Sequence, residues 1–483
     1  MREISKLEPT EVWEIFDSIT QIPRPSTKEE KIIAWLIEFA KSHGLSHKRD
    51  KVGNVVITRP AAVGCEQRAK ITLQSHVDMV CEKDSDVEFN FESDPIRTRI
   101  VDGWVTATGT TLGADCGIGM AASLAALISP DVVCGELEAL FTVNEEIGLT
   151  GAKELAPGMI SGKYLINLDS EEEGEICIGC AGGVDTVATF TYQEKSAPKD
   201  FTYYRIDISG LKGGHSGEDI NKGRANANKL LARLLWDAQQ RFNLKLSYVD
   251  GGNLRNAIPR EAYAVFGIPT RHIVDFAMAF DTFQEEVKEE FALSEPTMQM
   301  TLSEMPHIDT VLDETTQNNL LSSLMGVVNG VIANSMVMDN MVETSTNLAS
   351  VKFSSNKRIV VATSQRSSRE SGKTYAKQMV ESLFSLAGAE VTHSDGYPGW
   401  SPNPDSKLLE VVKESYCEQY GADPKVRAMH AGLECGLFLE NYPELDMVSF
   451  GPTMCGVHSP EERLNIGSVG RFWIMVKNLL FKL

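Results

Sequence analysis

Apolar positions fall into two spacings over the first ~180 residues. Ile32, Ile33, Leu36 and Phe39 recur at helical intervals, behind Ser26-x-x-Glu29 and ahead of Gly44, which predicts an amphipathic helix opened by a capping box. Val55-Val56-Ile57 and Ile71-Thr72-Leu73 are short apolar runs that predict strands, as do residues 137–143 and 164–168. Residues 117–128 are apolar and rich in small side chains and predict a helix. Strands alternating with helices predict a mixed, largely parallel sheet, hence an α/β domain.

The middle of the chain has another rhythm. Residues 201–208 and 261–268 alternate like strands, 225–241 and 275–292 read as helices, and 351–353 and 359–362 read as paired strands around Ser355-Asn356-Lys357. A helix over 369–386 follows, and Tyr397-Pro398-Gly399-Trp400 punctuates the return to a last strand-like run, Met447-Val448-Ser449-Phe450. The expected organisation is an α/β domain built from 1–185 and 397–483, with an α+β domain inserted at 186–396. A chain of 483 residues exceeds the usual size of a single core, so two domains are expected.

Composition narrows the function classes. A net charge of −21 repels phosphate backbones and anionic lipid, so no nucleic-acid or membrane role is expected. No apolar run reaches the ~18 residues of a membrane span. The start, Met1-Arg2-Glu3-Ile4-Ser5-Lys6, lacks the apolar core of a secretion signal, and nine scattered cysteines fit reduced thiols; both point to the cytoplasm. Cys177-x-x-Cys180 has redox-pair spacing without a second such pair, and is read as two buried or half-buried thiols. Gly372-Lys373-Thr374 lacks the first glycine of a phosphate loop.

Chemistry-bearing residues gather at the expected strand ends. His76 and Asp78, Glu145 and Glu146, and Asp169 each follow an expected strand, Asp115 opens the 117–128 helix, and His458 follows the last strand-like run. In open α/β sheets, sites form beyond the carboxyl ends of strands. Each residue alone has a plain structural reading: a strand-end histidine, a helix cap at Asp115, a solvated turn at Glu145-Glu146. Together, His76, Asp115, Glu146, Asp169 and His458 make a balanced ligand set for two divalent ions, zinc first, with cobalt or manganese compatible. Asp78 is placed to orient the His76 imidazole. Glu145 is then a spare acid, of no use for holding metal but suited to take a proton from a water bridging the two ions.

This set resembles the co-catalytic zinc exopeptidases of the aminoacylase, carboxypeptidase and dipeptidase group. The likeness extends through Thr110-Thr111-Leu112-Gly113-Ala114-Asp115, Gly213-Gly214-His215-Ser216-Gly217, Leu254-Arg255-Asn256-Ala257-Ile258-Pro259-Arg260 and His430-Ala431-Gly432-Leu433-Glu434-Cys435-Gly436. The resemblance implies that His76 and Asp169 hold one zinc, Glu146 and His458 the other, with Asp115 bridging and Glu145 as general base. It implies a lid role and a homodimer contact for the inserted domain, an oxyanion role for His215, and substrate contacts from Asn256, Arg366 and Gly432. Aspartate rather than glutamate at position 169 accompanies, in such enzymes, substrates with a free α-amine, so unblocked dipeptides, including Xaa-His and β-alanyl-histidine, are the expected substrates. An acylase or carboxypeptidase on the same scaffold is the alternative activity, and a non-catalytic metal-binding scaffold the alternative class. Cys116 departs from the polar residue expected after the bridging aspartate, and His430 has no assigned role.

Overall fold

The computed structural model describes residues 3–483. The chain divides into two compact units. The first comprises Met1–Gly179, Trp400–Ala428 and Leu433–Leu483, and the second Cys180–Gly399 and Met429–Gly432.

The first unit is built on an eight-stranded sheet in the order Ser46–Arg49, Val55–Arg59, Leu137–Thr142, Ile71–His76, Tyr164–Asn167, Asp446–Ser449, Glu175–Cys180 and Lys425–Met429. Its four central strands, from Leu137–Thr142 to Asp446–Ser449, run parallel, whereas Val55–Arg59 and Glu175–Cys180 pair antiparallel to them. The sheet is therefore mixed, with its parallel part confined to the centre. Every residue of Ile71–His76, Leu137–Thr142 and Tyr164–Asn167 is buried, as expected of parallel strands covered on both faces.

Helix Ala114–Ile128 is buried along its whole length up to Leu127 and packs against strand Ile71–His76. Its small residues permit that approach: a Cβ at Gly119 would stand 2.6 Å from the Leu168 carbonyl oxygen. Gly113, in the left-handed region at φ 70°, turns the chain into this helix.

One local expectation is corrected. Helix Glu30–Ser42 forms, but Glu29 at its N-cap makes no side-chain capping bond, and Ser26 does not cap it either. The Ser26 hydroxyl donates instead to Asp78 Oδ2 at 2.7 Å, and Glu29 Oε1 accepts from the backbone N–H of Asn144 at 2.9 Å. Tertiary partners have taken both side chains away from the helix end.

The second unit holds a nine-stranded antiparallel sheet in the order Gln299–Met305, Phe201–Ser209, Ala262–Pro269, Lys245–Gly251, Val342–Ser354, Arg358–Ser367, Gly182–Thr191 and Glu390–His393, with Gly330–Asn334 paired onto Val342–Ser354. Helices Ala227–Phe242, Ile273–Glu290, Glu314–Gly326 and Glu370–Leu386 pack on it around one apolar core that includes Leu231, Leu235, Phe266, Phe276, Leu320 and Phe384. The expected pair of strands near 351–362 is a long hairpin, Val342–Ser354 with Arg358–Ser367, whose turn uses positive φ at Asn356 and Lys357.

Among the described residues, no helix is long and apolar enough to cross a membrane, and Cys65, Cys81, Cys116, Cys134, Cys417 and Cys455 are free thiols.

Candidate metal centre

The parallel strands of the first unit deliver the expected ligands at their carboxyl ends. His76 is the last residue of Ile71–His76, Glu145 and Glu146 follow Leu137–Thr142, and Asp169 follows Tyr164–Asn167. Asp115 sits in the first turn of helix Ala114–Ile128, and His458, with φ 61°, lies in the loop between the short paired strands Met454–Cys455 and Arg463–Asn465 that follow Asp446–Ser449. These residues, spread over nearly four hundred positions, converge because neighbouring parallel strands end side by side.

Two trios share one aspartate. Nε2 of His76 lies 3.2 Å from Asp115 Oδ1 and 3.3 Å from Asp169 Oδ1. Nε2 of His458 lies 3.2 Å from Asp115 Oδ2 and 3.1 Å from Glu146 Oε2. Asp115 thus turns one oxygen to each histidine. Donors held ~2.0–2.1 Å from a tetrahedral zinc stand ~3.3 Å apart, so the spacing of both trios fits such an ion. Glu146 Oε1 and Asp169 Oδ1 are buried without a hydrogen-bond partner, which a cation would relieve.

The electrostatics point the same way. Hydrogen bonds to Asp115 and Glu146 push the His458 imidazole up to about 11. Burial opposes protonation of His76, but Asp169, Asp115 and Asp78 together hold it well above the ordinary range. Burial pushes Asp169 up to about 6 despite His76. Carboxylates outnumber imidazoles here, so the cluster demands positive charge, and divalent ions in place of protons meet that demand.

Glu145 stands with His76 and Glu146 in a third group of donors, and burial lifts its carboxyl well above the usual range. Asp78 is fully buried: its Oδ1 lies 3.4 Å from His76 Nδ1 and accepts the Glu145 N–H at 3.0 Å, and its Oδ2 accepts the Glu146 N–H at 3.3 Å. His76 Nδ1 also lies 3.1 Å from the Asp78 carbonyl oxygen, leaving Nε2 to face the carboxylates. Cys116 lies within the donor cluster, but its thiol donates to the Leu168 carbonyl at 3.3 Å and burial holds it protonated, so it packs as a thiol.

Two acids beneath the centre escaped the sequence reading. Glu462 accepts the N–H groups of Leu112, Gly113 and Ala114 at 2.7, 2.9 and 2.8 Å, bracing the turn that carries Asp115. Glu434 accepts from Gln74 at 2.6 Å and Thr142 at 2.7 Å, and burial pushes it up to about 8. Glu434 stood in the His430-to-Gly436 stretch without a role of its own, and Glu462, four residues after His458, lay in no stretch singled out.

The remaining expected residues belong to the second unit. Arg366, 6% exposed, donates to Tyr397 Oη at 2.9 Å and Ser216 Oγ at 3.3 Å, and no carboxylate pairs with it among the described residues. It lines a cavity of about 410 Å³ with Asn256, Arg255, Asp185 and Tyr397. Gly432 lies against Tyr397, where a Cβ would meet the ring at 2.9 Å. His215 Nδ1 accepts the N–H groups of Gly217 and Glu218 at 3.3 and 3.1 Å, and burial with the nearby Arg366 charge lowers the ring to about 4. A neutral imidazole so held presents Nε2–H as a donor. His430 contacts Ser345 Oγ through Nε2 at 2.7 Å, and burial and Arg366 lower it to about 3. A larger surface groove of about 780 Å³, between Ala227–Phe242 and Ile273–Glu290, contains none of the expected residues.

Residues 72–480 match the family model described as Peptidase family M20/M25/M40. The chain is 42% identical over 480 residues to the cytosol non-specific dipeptidase of Escherichia coli strain K12, covering 99% of each chain. It superposes on the crystal structure of aminoacylhistidine dipeptidase from Vibrio alginolyticus with a TM-score of 0.93 at 41% identity, covering 100% of this chain and 98% of that one. A tripeptidase from Staphylococcus aureus shares the fold at a TM-score of 0.57 and 16% identity, with 98% of each chain covered.

Proposed function

Since the chain belongs to peptidase family M20/M25/M40 and is a dipeptidase of that family, we propose that it holds two zinc ions and cleaves unblocked dipeptides, Xaa-His and β-alanyl-histidine among them, with Glu145 as general base. The observation that carries this reading is the pair of donor trios joined through Asp115, with Glu145 beside them as a carboxyl of raised proton affinity. His76 and Asp169 hold one ion, Glu146 and His458 the other, and Asp115 both.

When bound, the ions polarise the scissile carbonyl and make water acidic enough to attack it near neutral pH. Glu145 accepts the proton of the attacking water and delivers it to the leaving amine; a carboxyl whose pKa is lifted toward the working pH does both steps well. Asp78 holds the His76 tautomer and, through the Glu145 and Glu146 amides, the backbone of the base itself. His215 donates Nε2–H to the developing oxyanion. Arg366, a buried cation that pairs with no carboxylate among the described residues, takes the substrate's free carboxylate, with Asn256 and Gly432 contributing polar contacts. Asp169 favours a free α-amine. In this reading the protein is cytoplasmic, and the second unit serves as lid and homodimer contact.

The test is hydrolysis of Ala-His, β-Ala-His, Leu-Gly-Gly and N-acetyl-Ala-His, after chelation and after zinc is restored. Zinc-dependent cleavage of the two free dipeptides alone is expected. Cleavage of the acetylated peptide or the tripeptide would redirect the reading to an acylase or a broader exopeptidase. Inactivity on all four with zinc bound would favour a metal-binding scaffold.

A further inference from the structure

Residues 24–29 lie upstream of the stretch that matches the family model, 72–480, yet they reach the backbone of three ligand-bearing loops. We propose that Arg24, Ser26 and Glu29 form a clamp that sets the spacing of the metal ligands. The proposal rests on the metal-site reading above.

Arg24 is 2% exposed. Its Nη1 donates to the carbonyls of Val77 at 2.9 Å and Asp78 at 2.7 Å, and its Nη2 donates to the carbonyl of Gly113. One guanidinium therefore ties the backbone just after His76 to the backbone just before Asp115, the two residues whose side chains must meet. A planar fork with fixed donor directions does this, whereas an ammonium on a flexible stem does not. The surroundings are shaped to it: a Cβ at Gly113 would stand 2.5 Å from Arg24 Nη2, and one at Gly117 2.8 Å away. Burial opposes the Arg24 charge and the nearby Asp78 and Glu462 carboxylates offset it, but no carboxylate pairs directly with the guanidinium among the described residues, so its hydrogen bonds go to the backbone.

Ser26 and Glu29 extend the same segment to the third loop. The Ser26 hydroxyl donates to Asp78 Oδ2 at 2.7 Å, the carboxylate that also receives the Glu145 and Glu146 amides. Glu29 Oε1 accepts the Asn144 N–H at 2.9 Å, one residue before the base, and the Thr27 N–H at 3.0 Å, which closes its own turn. The chain around it is itself anchored by a bridge between Pro25 and Met79. Ligand distances in metal sites are held within about 0.2 Å, so a segment touching all three loops governs affinity without touching the metal. These are positioning residues.

The experiment uses the full chain with zinc as the probe, in the variants Glu29→Ala, Glu29→Gln, Ser26→Ala and Arg24→Lys. Zinc affinity is measured by chelator competition, kcat and KM for Ala-His at saturating zinc, and thermal unfolding on the metal-free proteins. Glu29→Ala, Ser26→Ala and Arg24→Lys should weaken zinc ~10–100-fold, the usual range for residues supporting metal ligands. They should lower kcat more than they raise KM, while metal-free Glu29→Ala and Ser26→Ala melt close to the parent. Glu29→Gln, whose amide oxygen still accepts from Asn144, should recover zinc affinity. Parent-like zinc affinity in Glu29→Ala and Ser26→Ala overturns the clamp alone, as does equal loss in Glu29→Gln and Glu29→Ala. A parent chain that binds no zinc overturns the metal reading and the clamp with it.

Discussion

Glu145 and Glu146 are chemically identical neighbours that the fold turns to different work. Glu146 faces His458 at 3.1 Å, while Glu145 remains outside both trios that share Asp115. Glu145→Ala is expected to lower kcat by ~10²–10⁴-fold with two zinc ions still bound, and Glu146→Ala to lose zinc at one site. Metal analysis beside the kinetics separates the two; near-normal turnover in Glu145→Ala would remove it from the mechanism. A second expectation concerns pH. His215 and His430 sit at about 4 and about 3 in the folded chain, below the ~6.5 of an unfolded histidine. Below ~6.5 the unfolded chain then binds more protons than the native one, so this contribution to stability is complete above that pH and falls progressively as pH drops toward the folded values. His430→Gln should flatten the decline of Tm between pH 6.5 and 4, read by circular dichroism; an unchanged slope would exclude His430 as its source. The residue types of the metal set were legible in the chain because imidazoles and carboxylates advertise their chemistry. Arg24, Glu434 and Glu462 were not, because a buried ionisable group whose partners are backbone amides and carbonyls, or the distant Gln74 and Thr142 side chains, looks like any surface charge in a sequence.

Helix Ala114–Ile128 shows what periodicity reveals and what it hides. An apolar, small-residue run implies a buried helix, yet not that Gly119 touches the strand end leading to Asp169. A Cβ there meets backbone, the Leu168 carbonyl at 2.6 Å, and the Cys116 sulfur at 2.7 Å. Gly119→Ala should therefore destabilise by about 1–3 kcal/mol, with Gly119→Val worse. Denaturant midpoints check this, and an unchanged midpoint for Gly119→Val would show that the helix can shift freely. The Ser26-x-x-Glu29 pattern misled for the complementary reason. A capping box is a local rule, and a buried carboxylate at Asp78 and an amide at Asn144 outcompeted the helix end for those side chains.

At the scale of the whole molecule, a chain with a net charge of −21 gathers several of its acids around two donor trios that share the buried Asp115. Metal removal should lower Tm, because those carboxylates then repel one another, and zinc at ~1,000 times its Kd should restore about 4 kcal/mol. Differential scanning calorimetry with and without chelator measures it; an unshifted Tm would mean the site binds no metal strongly.

Sequence alone determined the kinds of element and the chemistry available, since periods of 2.0 and 3.6 and the donor types are properties of neighbouring residues. It also determined the order of the ligands and their position after strands. Only the tertiary structure decided which strands lie side by side, with Asp446–Ser449 inserted next to Tyr164–Asn167, and so which acids meet at Asp115. It likewise decided that Arg24, Ser26 and Glu29 face loops fifty to a hundred and twenty positions away. A side chain's partner is set by long-range register and by competition among buried donors and acceptors, and neither is a property of its neighbours in the chain.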